Sequence, residues 1–100
     1  MFVRVSTFQG PPEDIDEDIA YSKANILPTA RKMAGWRGVI SLADRGTGQQ
    51  LTLTFWESEA AMRASEEEAN RLRAMAPEGS DQAVRSVERY EAIVYEVNAE

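Results

Sequence analysis

Two tryptophans and two arginines are the side chains best suited to chemistry in this chain. Trp36 and Trp56 each stand at the end of a β-like segment, where they would line an apolar pocket or simply fill core. Arg73 and Arg37 would steady an oxyanion if they reached such a pocket, and would otherwise be surface charges. Tyr90 and Tyr95 are hydrogen-bond donors with an equal claim to be subunit contacts. What is missing narrows the chemistry further. There is no histidine and no cysteine. That removes the commonest general base, thiolate nucleophiles, disulfides, and the usual ligands of zinc and haem iron. No metal-ligand spacing is present, and the one Gly-rich stretch, Gly46 to Gly48, lies between two strands rather than ahead of a helix, unlike a phosphate loop. Catalytic residues are left unassigned.

One helix carries most of the pocket candidates. Met62, Ser65, Ala69, Leu72 and Ala76 recur at spacings of three and four, a single apolar stripe. Ser65 is the polar member, either bonding a carbonyl one turn back or facing a cavity. Asn70 falls one position off the stripe. The expected ligand pocket, formed by Trp36, Trp56, Met62, Ser65, Ala69, Leu72 and Arg73, lies within one subunit between this helix and a sheet.

The elements that position these residues follow from pattern. Phe2 to Phe8 reads as a first strand, stopped by Gly10, Pro11 and Pro12. Pro12 suits a first helical turn, and the carboxylates from Glu13 to Asp18 suit the positive end of a helix dipole. Ile15, Ile19 and Ile26 form that helix's apolar stripe, with Ser22 in register, and the acidic face is expected to be solvated rather than a metal site. Pro28 should break the helix near Leu27, with a short helical turn from Thr29 to Met33 and Gly35 as its cap. Strand two is expected over 36–43, with Trp36, Gly38, Ile40 and Leu42 on one face. Residues 44–48 form a hairpin turn in which Gly46 or Gly48 is left-handed. Strand three runs from Gln49 to Trp56, with Leu51, Leu53 and Phe55 on one face. Ser58 caps a helix that ends at Pro77 to Ser80. Strand four is expected over Val87 to Val97.

The resulting order, β-α-β-β-α-β, is that of a ferredoxin-like α+β fold: a four-stranded antiparallel sheet with helices on one face. The other face still carries apolar residues and needs a second cover. A second copy of the same sheet would supply it, so a homodimer is expected. One hundred residues make one domain. A net charge of −6 with scattered basic residues argues against nucleic acid and anionic membrane as partners. With no signal-peptide pattern and no apolar run of membrane-spanning length, a cytoplasmic location is expected.

With that order in place, the chain resembles the antibiotic biosynthesis monooxygenase (ABM) family of dimeric α+β barrels. The carrying residues are AGWRG from Ala34 to Gly38, RGTG from Arg45 to Gly48, LTFWESEA from Leu53 to Ala60 and VERYEAIVY from Val87 to Tyr95. The family includes cofactor-free quinone-forming monooxygenases, haem-degrading enzymes and members without known activity. In the haem-degrading branch an Asn, a Trp and a His would fall near Ser6, Ser65 and Met75. None matches, so haem degradation by that route is not expected. The resemblance implies a cofactor-independent monooxygenase acting on an aromatic or polyketide-like small molecule, with no cofactor or metal. The alternative is a non-catalytic ligand-binding or stress-associated module on the same scaffold.

Overall fold

The structure, a computed structural model, describes residues 1–77 and 79–98. Four strands, β1 (Phe2–Gln9), β2 (Trp36–Ala43), β3 (Gln49–Trp56) and β4 (Ala83–Glu91), form one sheet in the order β2-β3-β1-β4, antiparallel throughout. A 3₁₀ turn (Pro12–Asp14) leads into α1 (Ile15–Asn25), followed by α2 (Leu27–Ala30), and α3 (Glu59–Ala64) and α4 (Glu66–Arg73) connect β3 to β4. This is the expected ferredoxin-like α+β arrangement, with the helices on one face of the sheet. Among the described residues no helix is long and apolar enough to cross a membrane, and no group of three or more carboxylates is placed to hold a metal ion.

Strand four differs from expectation. It spans Ala83–Glu91 rather than Val87 to Val97. Its partner sets the limit: β1 begins at Phe2, which pairs with Glu91, and the Ala92 N–H finds only the Met1 carbonyl, at 2.9 Å. Residues 92–98 leave the sheet, and Tyr95 returns to set its ring edge-on to Phe55, 5.6 Å between centroids.

A bulge also overturns the expected facing of β2. Trp36 pairs with Trp56, but Gly38 pairs with Phe55, so Arg37 is the extra residue. Trp36 therefore shares the helix side with Val39 and Ser41, not the outer side with Gly38, Ile40 and Leu42. Its ring meets that of Trp56 edge-on at 5.7 Å and 88°. On the outer side the register stacks Val3 beside Phe55, Val5 beside Leu53, and Leu51 beside Leu42. Ile40, Leu42 and Tyr90 on that side remain substantially exposed.

The helix after β3 is interrupted. Ser58 caps it, its hydroxyl accepting from the Ala61 N–H at 3.1 Å. At Ser65, however, α3 gives way to α4, and α4 stops at Arg73 rather than continuing to 76. The Met62 carbonyl explains the break: it accepts from the Ser65 hydroxyl at 2.6 Å and from Arg4 Nη2 at 2.8 Å. Those bonds draw it from the helical ladder. The expected stop from Pro77 to Ser80 includes Glu78, which lies outside the described residues. Ile15, Trp56 and Met62 are the most deeply buried large side chains.

Candidate functional site

Between the sheet and helices α1, α2 and α4 lies a cavity of about 330 Å³. Its floor is laid by alternate residues of the two central strands, Arg4, Ser6 and Phe8 on β1 and Gln50, Thr52, Thr54 and Trp56 on β3. Its roof is mostly apolar and includes Ile19, Ile26, Leu27 and Leu72. A cavity of this size suits a two- or three-ring ligand. Of the residues singled out in the sequence, Trp36, Trp56, Ala69, Leu72 and Arg73 stand on its wall. Met62 and Ser65 are packed beneath α3 and α4 against Arg4 instead. Arg37 is outside, paired with Glu57 at 3.3 Å in solvent. Tyr90 is on the outer face, where its hydroxyl donates to Glu88 at 2.8 Å, and Tyr95 packs on Phe55 there.

Two residues central to the cavity were not singled out in the sequence. Arg4 is 3% exposed. Its guanidinium donates to the Met62 carbonyl and to Ser65 Oγ at 2.7 Å, and lies over the Trp56 ring, 5.3 Å from the centroid. Glu66 Oε1 lies 2.7 Å from its Nη2, a charge contact without hydrogen-bond alignment, and Arg4 Nε is buried without a partner. Burial lowers the pKa of Arg4, and the charge of Glu66 partly opposes this. Arg89 also binds Glu66, so one carboxylate serves two arginines. Arg73, on the cavity wall close by, is bonded to the neutral Asn70 and has no carboxylate in ion-pair contact among the described residues. Burial and the nearby charge of Arg4 lower its pKa. A half-buried, charge-unpaired guanidinium beside an aromatic wall is suited to holding an anionic oxygen.

Asp18 marks the opposite end. The acidic segment was expected to be solvated, but Asp18 is only 8% exposed and stands on the cavity wall. The correction follows from helical geometry: Asp18 is three residues after Ile15 and four before Ser22, inside the apolar stripe. Gln50 Nε2 and Gln82 Nε2 both donate to its Oδ2, at 3.2 and 3.4 Å. Burial raises its pKa. The Gln50 hydrogen bond opposes that, and the charges of Asp14 and Glu17 add to it. A carboxyl whose folded pKa is raised binds its proton more tightly in the native state. Stability is then lost as pH climbs from the unfolded value, about 3.9, through the folded one. Asp18→Asn is therefore expected to raise the melting temperature at pH 7, with the gain shrinking towards pH 3. A variant less stable than the native protein at pH 7 would refute this account of the carboxyl.

The signals for both residues were present. Arg4 interrupts the apolar positions Val3 and Val5 with the parity of Ser6 and Phe8, and Asp18 lies on the stripe of Ile15 and Ile19. What they lacked in the sequence was any sign of the facing partners that make their burial tolerable.

Comparison with known proteins bears on the fold. No family model matches the sequence. Two uncharacterised proteins of Mycobacterium tuberculosis H37Rv are 34% and 32% identical over 73 residues, 73% of this chain. The chain spans about a third of the length of the curated relatives it matches, 33% and 31% in these two cases. Among solved structures, the M. tuberculosis haem degrader MhuD, with two haems bound in its active site, superposes with a TM-score of 0.72 at 19% identity, over 97% of this chain and 100% of its own. A Streptomyces coelicolor monooxygenase in complex with nanaomycin D gives 0.67 at 17% identity, over 98% and 92%. A putative antibiotic biosynthesis monooxygenase from Deinococcus radiodurans gives 0.64 at 16% identity, over 100% and 99%. At such identities the likeness speaks for backbone architecture, and the conclusion is one of fold: this chain has the fold of the antibiotic biosynthesis monooxygenases.

Proposed function

We propose that the chain is a homodimeric small-molecule-binding protein whose cavity takes a flat, hydroxylated aromatic compound and oxygenates it without a cofactor. The observation that carries this reading is the cavity itself, apolar and flanked by Trp36 and Trp56, with the charge-unpaired Arg73 on its wall. A phenol held there would be favoured as its phenolate by the guanidinium. An electron-rich phenolate can pass an electron to O2, and the radical pair can then recombine at ring carbon. The reaction balances without an added reductant. A phenol and O2 give a p-quinone and water, one oxygen atom entering the ring and the other leaving with the two hydrogens lost. The apolar walls would exclude water from the reactive intermediates. The monooxygenase that binds nanaomycin D on the same fold supports this class of ligand.

Haem does not fit these residues. The whole sequence lacks the imidazole and thiolate groups that commonly hold haem iron.

The test is incubation of a panel of hydroxylated naphthalenes and anthracenes with the protein, with and without oxygen. An oxygen-dependent quinone product is expected, and Ala69→Phe, which fills the cavity from α4, should lower turnover at least about 100-fold while the protein stays folded. Tight binding with no oxygen-dependent product would favour the non-catalytic ligand-binding module. Unfolding of Ala69→Phe would mean that α4 packs flush on the sheet and that the cavity is not a ligand site.

The dimer reading rests on the outer sheet face. Ile40, Leu42 and Tyr90 are exposed there, and Ile93, Val94 and Val97 are exposed in the segment after β4. An isologous pair of sheets would cover them. Sedimentation equilibrium is expected to give twice the chain mass at micromolar concentration, and Leu42→Asp to give monomers. A native protein that is a stable monomer would sink the dimer.

A further inference from the structure

The cavity has two polar poles, and the strand register sets their separation. Phe8 pairs with Gln50 and Arg4 pairs with Thr54 across β1 and β3. Gln50 holds Asp18, and Arg4 neighbours Arg73. The poles are therefore four residues apart along β3, roughly 13 Å at the usual strand rise. Between them the floor offers the hydroxyls of Thr52, Ser6 and Ser41, and the groups above are mainly apolar, such as Ile26, Leu27 and Met33.

The Asp18 pole is built rather than incidental. The carboxyl comes from α1, one amide from β3 and the other from the stretch ahead of β4. Both amides donate to Oδ2, and Oδ1 receives no hydrogen bond from the described residues. Oδ2 is thus satisfied by the protein, and Oδ1 remains the carboxyl's free acceptor. Asp14 in the 3₁₀ turn and Glu17 on α1 add negative charge beside Asp18, so this end disfavours anions. The Arg73 end attracts them.

We infer that Asp18 is the specificity-determining residue of the cavity: its free oxygen accepts a hydrogen bond from a hydroxyl at one end of an elongated, fused three-ring aromatic whose anionic oxygen lies at Arg73. This rests on the cavity being the ligand site. A ligand of this kind satisfies both poles at once. One lacking the distal hydroxyl covers that acceptor and leaves it unpaired, and one with an anion at that end meets a like charge.

Three probes of one shape test this by isothermal titration calorimetry: 6-hydroxyanthraquinone-2-carboxylate, anthraquinone-2-carboxylate and anthraquinone-2,6-dicarboxylate. The native protein is expected to bind the hydroxyl compound at least about tenfold more tightly than the compound without it, and the dicarboxylate least of all. Asp18→Asn, which keeps the shape and removes the charge, should bind the dicarboxylate at least about tenfold more tightly than the native protein does. The first comparison uses native protein alone and so does not depend on the variant folding. Equal native affinity for the hydroxyl and deoxy compounds, or dicarboxylate binding unchanged in Asp18→Asn, would overturn the inference while leaving the cavity a ligand site. Failure of all three to bind native protein would overturn the ligand site and the inference with it.

Discussion

Glu66→Ala is expected to destabilise the protein by about 3–5 kcal/mol, the cost of leaving a buried charge without its counterion. Arg4 is almost wholly enclosed, and Glu66 is its one carboxylate contact among the described residues. Without Glu66 the guanidinium keeps the Met62 carbonyl, the Ser65 hydroxyl and the face of Trp56 but no counterion, with the positive charges of Arg73 and Arg89 nearby. For a small domain of ordinary stability this is a large share of the total. The pH dependence carries a sign that can be checked. Burial pushes the Glu66 carboxyl up, but the hydrogen bond from Arg89 and the charges of Arg4 and Arg89 outweigh it and hold the group below its ordinary range. A depressed folded pKa contributes stability that is complete above the unfolded value, about 4.3, and is lost as pH falls through the folded one. Denaturant titrations should therefore show a gap between native protein and Glu66→Ala that is widest at neutral pH, begins to narrow near the unfolded value and closes as pH falls through the lower folded one. A gap that stays constant down to pH 2 would mean that packing, not charge, is what Glu66 supplies.

Gly48→Ala is expected to cost at least about 3 kcal/mol, and Gly46→Ala less than about 1 kcal/mol. Gly48 has φ of +84°, where an L side chain is strained. Its Cβ would also lie 1.9 Å from the Gly10 carbonyl oxygen and 3.0 Å from the Pro12 nitrogen, both backbone atoms that cannot swing aside. Gly46 has neither problem. Its φ is outside the left-handed range, and the nearest atom to a Cβ there is Asp44 Oδ1, at 3.3 Å. In thermal melts the first variant should lose more than about 10 °C and the second only a few. Equal effects would show that the 44–48 turn is held by something other than the contact of Gly48 with the end of β1.

These two sites show how differently parts of the chain could be read. The hairpin was legible because its information is local: two alternating strands separated by Asp44, Gly46 and Gly48 permit little but a reversal. The choice between the two glycines was not, because Gly10, which excludes a side chain at Gly48, is 38 positions away in sequence. The helix cap at Ser58 was legible for the same local reason, since the amide it accepts from is three residues on.

Element order, and with it the ferredoxin-like fold, was determined by periodicity and local turn and cap residues, because burial of one face imposes a spacing of two on strands and of about 3.6 on helices whatever they pack against. That spacing also brought Ala69 and Leu72 to attention as wall residues, while Trp36, Trp56 and Arg73 stood out by residue type. The span of β4, the bulge at Arg37 and the break at Ser65 were decided by tertiary structure: by the register of β4 against β1, by how Trp36 must sit to meet Trp56, and by Arg4 and the Ser65 side chain competing for a helix carbonyl. The two polar poles belong to the same class. A charged residue at an inward position reads as an error in an apolar pattern until its partners are known, and those partners lie far along the chain: Glu66 is 62 residues from Arg4, and Gln82 is 64 from Asp18. Burial of a charge is tolerated only when such groups converge on it, and convergence is a property of the folded chain.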